Sequence, residues 1–122
     1  MARAKNHPSN DMALSSEIVQ RIVQEIRPWK IILFGSRSRG TARPDSDFDI
    51  LVIADSKEPR FRRAARLYGV LSDMIRPMDI LVYTPQEVED WGNVPQAFVT
   101  TTVREGKLLY ENPGGPGQKL AA

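Results

Sequence analysis

Three short apolar runs dominate the hydrophobic pattern of the chain, and each predicts a β-strand. Within residues 30–34, Ile31 to Phe34 are all apolar, which favours a central strand that is buried on both faces. Residues 47–53 and 78–83 are similar runs, bounded by turn residues and proline. A further short run at 108–110 is consistent with an edge strand. The pattern therefore predicts a small β-sheet.

Apolar residues at helical spacing predict helices between and before these strands. The first begins near Ser15, an N-cap residue, and ends before Pro28, because a proline disfavours helical geometry in the residue that precedes it. The second covers about 59–75, and its apolar face includes Phe61 and Tyr68.

Capping signals predict three shorter helices. One begins near Ser36 and ends at Gly40, and another begins at the capping box formed by Thr84 and Glu87. The last covers about 96–104, where a run of threonines weakens the helical propensity. Together the elements predict an α/β (α+β) fold with a small mixed β-sheet flanked by helices.

The predicted elements define one domain with a tail at each end. Polar residues 1–12 predict a disordered N-terminal tail, and residues 13–111 hold the domain. Residues 112–122 are rich in proline and glycine and predict a flexible C-terminal tail, in which Lys119 to Ala122 resembles vector-derived sequence.

Composition excludes several classes of protein. The 122 residues are 41% hydrophobic and 26% charged, as in ordinary globular domains. The sequence has no cysteine, which excludes a disulfide framework and a thiolate metal site. No apolar run approaches the roughly 20 residues of a membrane span, and the N-terminus lacks the apolar core of a signal peptide. We therefore expect a cytoplasmic protein that does not associate with membranes.

Positive charge is concentrated in the middle of the chain, although the net charge is only +2. Within thirty residues lie Arg37, Arg39, Arg43, Arg60, Arg62, Arg63 and Arg66. Two interpretations of the run from Arg60 to Arg66 stay open. It is either a solvated helix face or a docking surface for phosphate, RNA or an acidic partner.

The residues that carry chemistry stand at the ends of the predicted strands. Asp47 and Asp49 open the second strand, and Asp79 opens the third. Alternation along a strand places Asp47 and Asp49 on one face, and Asp79 faces them if its strand is a neighbour. Converging carboxylates raise one another's pKa values, and a bound metal relieves the repulsion. Such a site suits Mg²⁺, which prefers oxygen ligands and can act in pairs on an in-line displacement.

A small flexible turn closes the first strand. Gly35 allows the backbone to approach a ligand closely, and Ser36 offers a hydroxyl and an amide at the start of a predicted helix. Arg37 and Arg39 add positive charge for a phosphate. The turn is neither a Walker loop nor a dinucleotide-binding fingerprint.

The acidic run that begins at Asp45 also suggests a Ca²⁺ loop, but two positions exclude it. The sixth position is Ile50 rather than glycine, and the twelfth is Ser56 rather than glutamate.

The order of these features resembles the polymerase-β-like nucleotidyltransferase superfamily. Gly35 to Asp49 resembles the motif of its minimal nucleotidyltransferase (MNT) group, with Ser38 where that motif usually has alanine. The resemblance covers residues 15–110 and implies the polymerase-β-like nucleotidyltransferase fold. It also implies two Mg²⁺ ions and ATP or another NTP as substrate.

The resemblance further implies a role for each residue of the site. Gly35 and Ser36, with Arg37 and Arg39, would bind the triphosphate. Asp47, Asp49 and Asp79 would be the catalytic residues and the metal ligands, and Asp79 would also orient or deprotonate the acceptor hydroxyl.

Small members of the group are commonly paired with a helical HEPN toxin, and some transfer AMP to a toxin tyrosine. The resemblance therefore implies an antitoxin that modifies a HEPN partner. Two alternatives stay open: transfer to a small molecule such as an aminoglycoside, and a non-catalytic antitoxin that acts by binding. We expect no direct nucleic-acid binding.

Overall fold

A four-stranded mixed sheet forms the centre of the protein. The computed structural model describes residues 6–43, 47–74 and 76–115. The strands are β1 (Lys30–Phe34), β2 (Phe48–Ile53), β3 (Met78–Tyr83) and β4 (Lys107–Glu111), in the order β3-β2-β1-β4. β2 pairs in parallel with β3, whereas β1 is antiparallel to both β2 and β4. The predicted mixed sheet is confirmed.

Helices cover both faces of this sheet. In the described part of the chain they are α1 (Asn6–Ile26), α2 (Ser36–Arg39), α3 (Arg60–Arg63), α4 (Ala65–Val70), α5 (Pro85–Asp90) and α6 (Phe98–Glu105). On one face, Ile18 of α1 and Leu67 of α4 belong to a buried cluster with the sheet. On the other, Val88 of α5 and Val99 of α6 pack with the opposite side of the same strands.

The central strand is buried on both faces, as the sequence predicts. Ile31 and Leu33 join the α1/α4 cluster, and Ile32 joins the α5/α6 cluster. All three side chains are at most 4% exposed. The antiparallel pairing of β1 with β2 positions Asp49, the predicted site residue that β2 carries.

The first helix is longer than predicted. α1 begins at Asn6 rather than near Ser15, so its helical backbone includes residues 6–12, for which the polar sequence predicts a disordered tail. Pro8 lies in the first turn, where a missing backbone N–H leaves no hydrogen bond unmade, so it does not prevent the helix. The C-terminal end is as predicted, because α1 stops at Ile26 ahead of Pro28. Residues 1–5 and 116–122, which hold the rest of the predicted tails, lie outside the described residues.

The predicted helix over 59–75 is wrong in extent, and two residues of its predicted apolar face, Phe61 and Tyr68, are exposed, whereas Leu71 is buried. It divides into α3 and α4 around Ala64, and α4 ends at Val70. Phe61 is 83% exposed instead of buried, because the Arg63 guanidinium lies against the sheet and donates to the Val82 carbonyl at 3.1 Å. Tyr68 is also exposed, and its hydroxyl accepts from the Ile80 N–H at 2.8 Å. These contacts cover the outer edge of β3.

No helix in the three described ranges has both the length and the apolar character that crossing a membrane requires.

Candidate active site

The strand register brings three of the predicted site positions to one edge of the sheet. Asp49 pairs with Asp79 in the parallel ladder between β2 and β3. Phe34 pairs with Asp49 in the antiparallel ladder between β1 and β2, so Gly35 follows directly beside Asp49. The C-terminal end of β1 therefore meets the N-terminal ends of β2 and β3.

The two paired carboxylates lie on the sheet face that carries α5 and α6. Leu51 and Leu81, two residues further along β2 and β3, both pack in the α5/α6 cluster. Because side chains alternate along a strand, Asp49 and Asp79 belong to the same face. Asp49 is partly buried there, and Asp79 is exposed.

Gly35 lies in direct contact with the Asp49 carboxylate. Its backbone has φ 77° and ψ −157°, a conformation that is almost confined to glycine. A Cβ at position 35 would overlap Asp49 Oδ2 and lie 3.1 Å from Asp49 Cγ. The absence of a side chain at position 35 therefore makes room for this carboxylate.

Hydrogen bonds within the turn hold the short helix α2 against this edge. The Gly35 carbonyl accepts from the Ser38 backbone N–H at 3.2 Å and from the Ser38 hydroxyl at 2.8 Å. The Ser36 carbonyl accepts from the Thr41 N–H at 3.0 Å, and α2 ends at Gly40 in the left-handed conformation. The predicted helix from Ser36 to Gly40 is confirmed, and it places Ser36 at the start of the helix.

Negative charge accumulates around Asp49. Burial raises the pKa of this carboxyl, and the nearby charges of Asp79 and Asp47 raise it further, whereas the positive charge of Arg39 opposes the shift. The three acidic residues are thus close enough to interact electrostatically. A cation bound between them would relieve their repulsion.

The carboxylates do not form a ready-made metal cage. Within residues 6–43, 47–74 and 76–115, no three acidic, histidine or cysteine side chains are placed to hold a metal ion together. Asp47 is exposed and follows residues 44–46, which are not described. An all-oxygen donor set with an incomplete cage nevertheless fits Mg²⁺, which usually takes one or two carboxylates and completes its shell with water and substrate phosphates.

The two arginines of the turn have different positions. The Arg37 guanidinium lies 4.3 Å from the centre of the Phe48 ring and donates to the Arg43 carbonyl at 3.3 Å. Arg37 therefore contacts the chain after α2, at Arg43, and the start of β2, at Phe48. Arg39 is exposed and is the arginine whose charge acts on Asp49.

A groove beside this edge contains residues that the sequence did not single out. It has a volume of about 360 Å³ and lies between the end of β1, α2 and α6. Its lining includes Gly35 and Arg39 together with Gln96 and Phe98. The sequence signal for the groove was weak: Phe98 is an aromatic residue at the start of a predicted helix, and such a residue is typical of core packing.

The basic run does not belong to this site. Arg60 lies over the Tyr83 ring at 4.7 Å, and Tyr83 ends β3, whereas Asp79 lies near the beginning of that strand. Arg63 is 9% exposed and binds Glu87 through both carboxylate oxygens, at 2.7 and 3.2 Å. Arg66 pairs with Glu25 at 3.0 Å. The interpretation of the whole run as a docking surface is therefore wrong for Arg63, which has a structural role.

Comparison with protein families gives one match that covers most of the chain. The family described as "Nucleotidyltransferase domain" matches residues 15–104. No curated protein sequence matches the chain significantly.

Solved structures show similar folds at low sequence identity. A candidate nucleotidyltransferase from Sulfolobus solfataricus is 22% identical, with a TM-score of 0.58, over 94% of this chain and 96% of its own. A toxin–antitoxin structure with AMP-PNP is 24% identical, with a TM-score of 0.49, over 82% of this chain and 75% of that one. A mutant of the MntA-HpeT toxin–antitoxin is 21% identical, with a TM-score of 0.47, over 85% and 78%. The Sulfolobus structure supports the fold. The similarity of the two toxin–antitoxin structures to this chain is too low to support a conclusion.

Proposed function

The chain belongs to the nucleotidyltransferase domain family, and we propose that it transfers AMP from ATP to a hydroxyl group. One observation carries the proposal. The Asp49 carboxylate lies against Gly35, which has no side chain, and Asp49 pairs in register with Asp79, so a glycine turn and two acids share one edge. A purely structural turn does not need two neighbouring carboxylates that repel each other.

In this proposal, the turn and the acids have separate tasks. The backbone of Gly35 and the amide and hydroxyl of Ser36 bind the triphosphate, with Arg39 adding positive charge. Asp47, Asp49 and Asp79 would share the Mg²⁺ ions, each ion taking one or two of these carboxylates and completing its shell with phosphate oxygens and water. When bound, Mg²⁺ neutralises phosphate charge and stabilises the charge that develops on the leaving group.

The transfer exchanges one phosphorus–oxygen bond for another. The acceptor hydroxyl oxygen forms a bond to the α-phosphorus while the bond from that phosphorus to the bridging oxygen of pyrophosphate breaks. Pyrophosphate leaves with the electron pair, and the proton of the acceptor passes to the Asp79 carboxylate. Asp79 is exposed at the strand end, so an incoming acceptor can reach it.

We further propose that the acceptor is a tyrosine of a HEPN-type toxin and that the protein acts as its antitoxin in the cytoplasm. The support is the sequence motif from Gly35 to Asp49 and the exposure of Asp79, which leaves the acceptor side of the edge open to a second protein. The toxin–antitoxin structures add no independent support, because their sequence identity and structural similarity to this chain are too low.

Transfer of label from α-³²P-ATP tests the proposal. The protein is incubated with Mg²⁺, labelled ATP and the purified product of the neighbouring gene, and Asp49→Asn is compared with wild type. Asp90→Asn is the matched control, because Asp90 is an exposed aspartate on α5 that accepts from Gln86 at 2.9 Å. We expect label in the partner with wild type and Asp90→Asn, and none with Asp49→Asn. Equal labelling by all three proteins would exclude the assigned site.

A further inference from the structure

We propose that the groove between β1, α2 and α6 binds the nucleobase and ribose of the nucleoside triphosphate, with the Phe98 ring as the surface on which the base stacks. This inference rests on the proposed function, because it assigns the part of the substrate that the phosphate turn and the carboxylates do not bind.

The groove is continuous with the candidate active site. Gly35, Ser38 and Arg39 belong both to the turn and to the wall of the groove. Phe34 also lines it and packs with the α5/α6 cluster, on the sheet face that carries Asp49. A nucleotide whose phosphates lie at Gly35 can therefore extend along this face into the groove. Its volume of about 360 Å³ is at the lower end of the roughly 300–1,000 Å³ of small-molecule sites.

The Phe98 ring is held in place and yet exposed. It is the first residue of α6 and is 45% exposed. Its ring centre is 5.5 Å from that of Phe34 in an edge-to-face arrangement and 6.4 Å from that of Tyr83. The contacts with Phe34 and Tyr83 thus fix the Phe98 ring, and the exposed part of the ring stays open to a ligand. Such a surface suits a flat π-system, because nucleobases stack on aromatic side chains.

The polar rim of the groove suits an uncharged part of the ligand. Gln96 is exposed and offers both donors and an acceptor to a base edge. Glu105 also lines the groove and pairs with its neighbour Arg104 at 3.1 Å in an exposed contact, which leaves acceptor capacity for a ribose hydroxyl. A carboxylate in this position repels phosphate. The groove therefore has two ends. Gln96 and Glu105 lie at the end that suits the base and ribose, and Gly35 lies at the end that suits the phosphates.

Binding of two probes separates these ends. Calorimetry measures the Kd of MgATP, which has a base, and of magnesium tripolyphosphate, which has none. The variants are Phe98→Ala and Phe98→Leu, of which the second keeps an apolar side chain against Phe34. Phe61→Ala is the control, because it removes an exposed phenylalanine (83% exposed) from α3.

We expect both Phe98 variants to raise the Kd of MgATP by about tenfold or more, from the loss of stacking. The Kd of tripolyphosphate should stay within about twofold, and Phe61→Ala should behave as wild type.

Three results would overturn the inference in different ways. Unchanged MgATP binding in both Phe98 variants removes the base from the groove while leaving the proposed function intact. Unchanged MgATP binding with reduced labelling of the acceptor assigns the groove to the acceptor. A wild-type protein that binds neither probe refutes the proposed function itself.

Discussion

Gly35 and Asp49 occupy complementary space: a carboxylate oxygen of Asp49 lies where the Cβ of any other residue at position 35 would be. The contact joins the end of β1 to the start of β2 across their antiparallel pairing. It makes the turn and the acid interdependent, since neither residue can become larger without displacing the other.

Replacement of Gly35 by alanine should reduce both stability and nucleotide binding. The backbone conformation of Gly35 costs other residues about 1–3 kcal/mol, and the new methyl group displaces Asp49. Gly40→Ala is the control, because Gly40 also has a positive φ of 76° but a Cβ there would meet nothing within 4 Å. We expect Gly40→Ala to lose about 1–2 kcal/mol of unfolding free energy and to keep its affinity for MgATP. Urea denaturation and calorimetry measure the two effects, and normal MgATP binding by Gly35→Ala would contradict the contact.

The charge of Asp49 should destabilise the metal-free protein. Its pKa in the folded state is raised above the ordinary value of 3.8 by burial, Asp79 and Asp47. The folded protein therefore holds a proton that the unfolded chain has lost, and the free energy of unfolding falls as pH rises from 3.8 through the raised pKa. Asp49→Asn removes this dependence and should be at least as stable as wild type at neutral pH.

Thermal unfolding across this pH range, with and without MgATP, tests both parts of the prediction. MgATP should raise the Tm of wild type but not that of Asp49→Asn. A metal-free variant that is much less stable than wild type would instead make Asp49 a structural hydrogen-bonding partner.

Loss of the Asp79 carboxylate should affect turnover more than nucleotide affinity. As the proposed proton acceptor, it acts mainly on the transition state, and general base catalysis contributes about 10²–10⁴-fold. We expect Asp79→Asn to lower kcat by that order while KM for ATP changes much less. Asp79→Glu keeps a carboxylate and should recover part of the rate. A rise in KM with unchanged kcat would restrict Asp79 to substrate binding.

Arg63 should be important for stability rather than for function. It bridges Glu87, the Val82 carbonyl and the Glu58 carbonyl. Removal of one partner from a largely buried ion pair costs about 3–5 kcal/mol, and we expect a loss near the lower limit for Arg63→Ala because Glu87 keeps a 27% exposed side chain. Arg62→Ala, the control on the same helix, should change stability by less than about 0.5 kcal/mol. Urea denaturation measures the unfolding free energy of both variants. Equal losses in Arg63→Ala and Arg62→Ala would contradict the structural role of Arg63.

The same ion pair should make stability depend on pH in the opposite sense to Asp49. The hydrogen bond from Arg63 lowers the pKa of Glu87 below its ordinary value of 4.5. Its contribution is present above pH 4.5 and is lost as pH falls through the lowered pKa. Arg63→Ala should therefore flatten the acid limb of the stability curve, and an unchanged acid limb would assign that limb to other carboxylates.

Local signals predicted the elements that hold the candidate site. The bounds of β1 and β3 follow from apolar runs, and α5 begins where the capping box of Thr84 and Glu87 predicts it, with bonds of 2.9 and 3.1 Å. The same runs place Gly35, Asp49 and Asp79 at strand ends. These features depend on residues that are close in sequence, or on the alternation within one strand.

The features that depend on tertiary contacts were not predictable in the same way. The inward position of Arg63 requires the Val82 carbonyl and Glu87, which come from β3 and α5. Helical spacing alone assigned Phe61 to the core and could not detect this competition. The groove at Phe98 forms only when α6 packs beside β1, so no pattern in the sequence connected Gln96 or Phe98 with the candidate site.

The register at Asp49 has a consequence for the order in which the protein folds. β1 and β2 are successive antiparallel strands, so Gly35 meets Asp49 as soon as the connection over residues 35–47 closes. Asp79 arrives only with the parallel strand β3, after α3 and α4 have crossed the sheet. Longer loops cost more entropy to close, and non-local pairing slows folding. A folding intermediate with only the first hairpin formed would contain the turn and Asp49 but would lack the second acid of the pair.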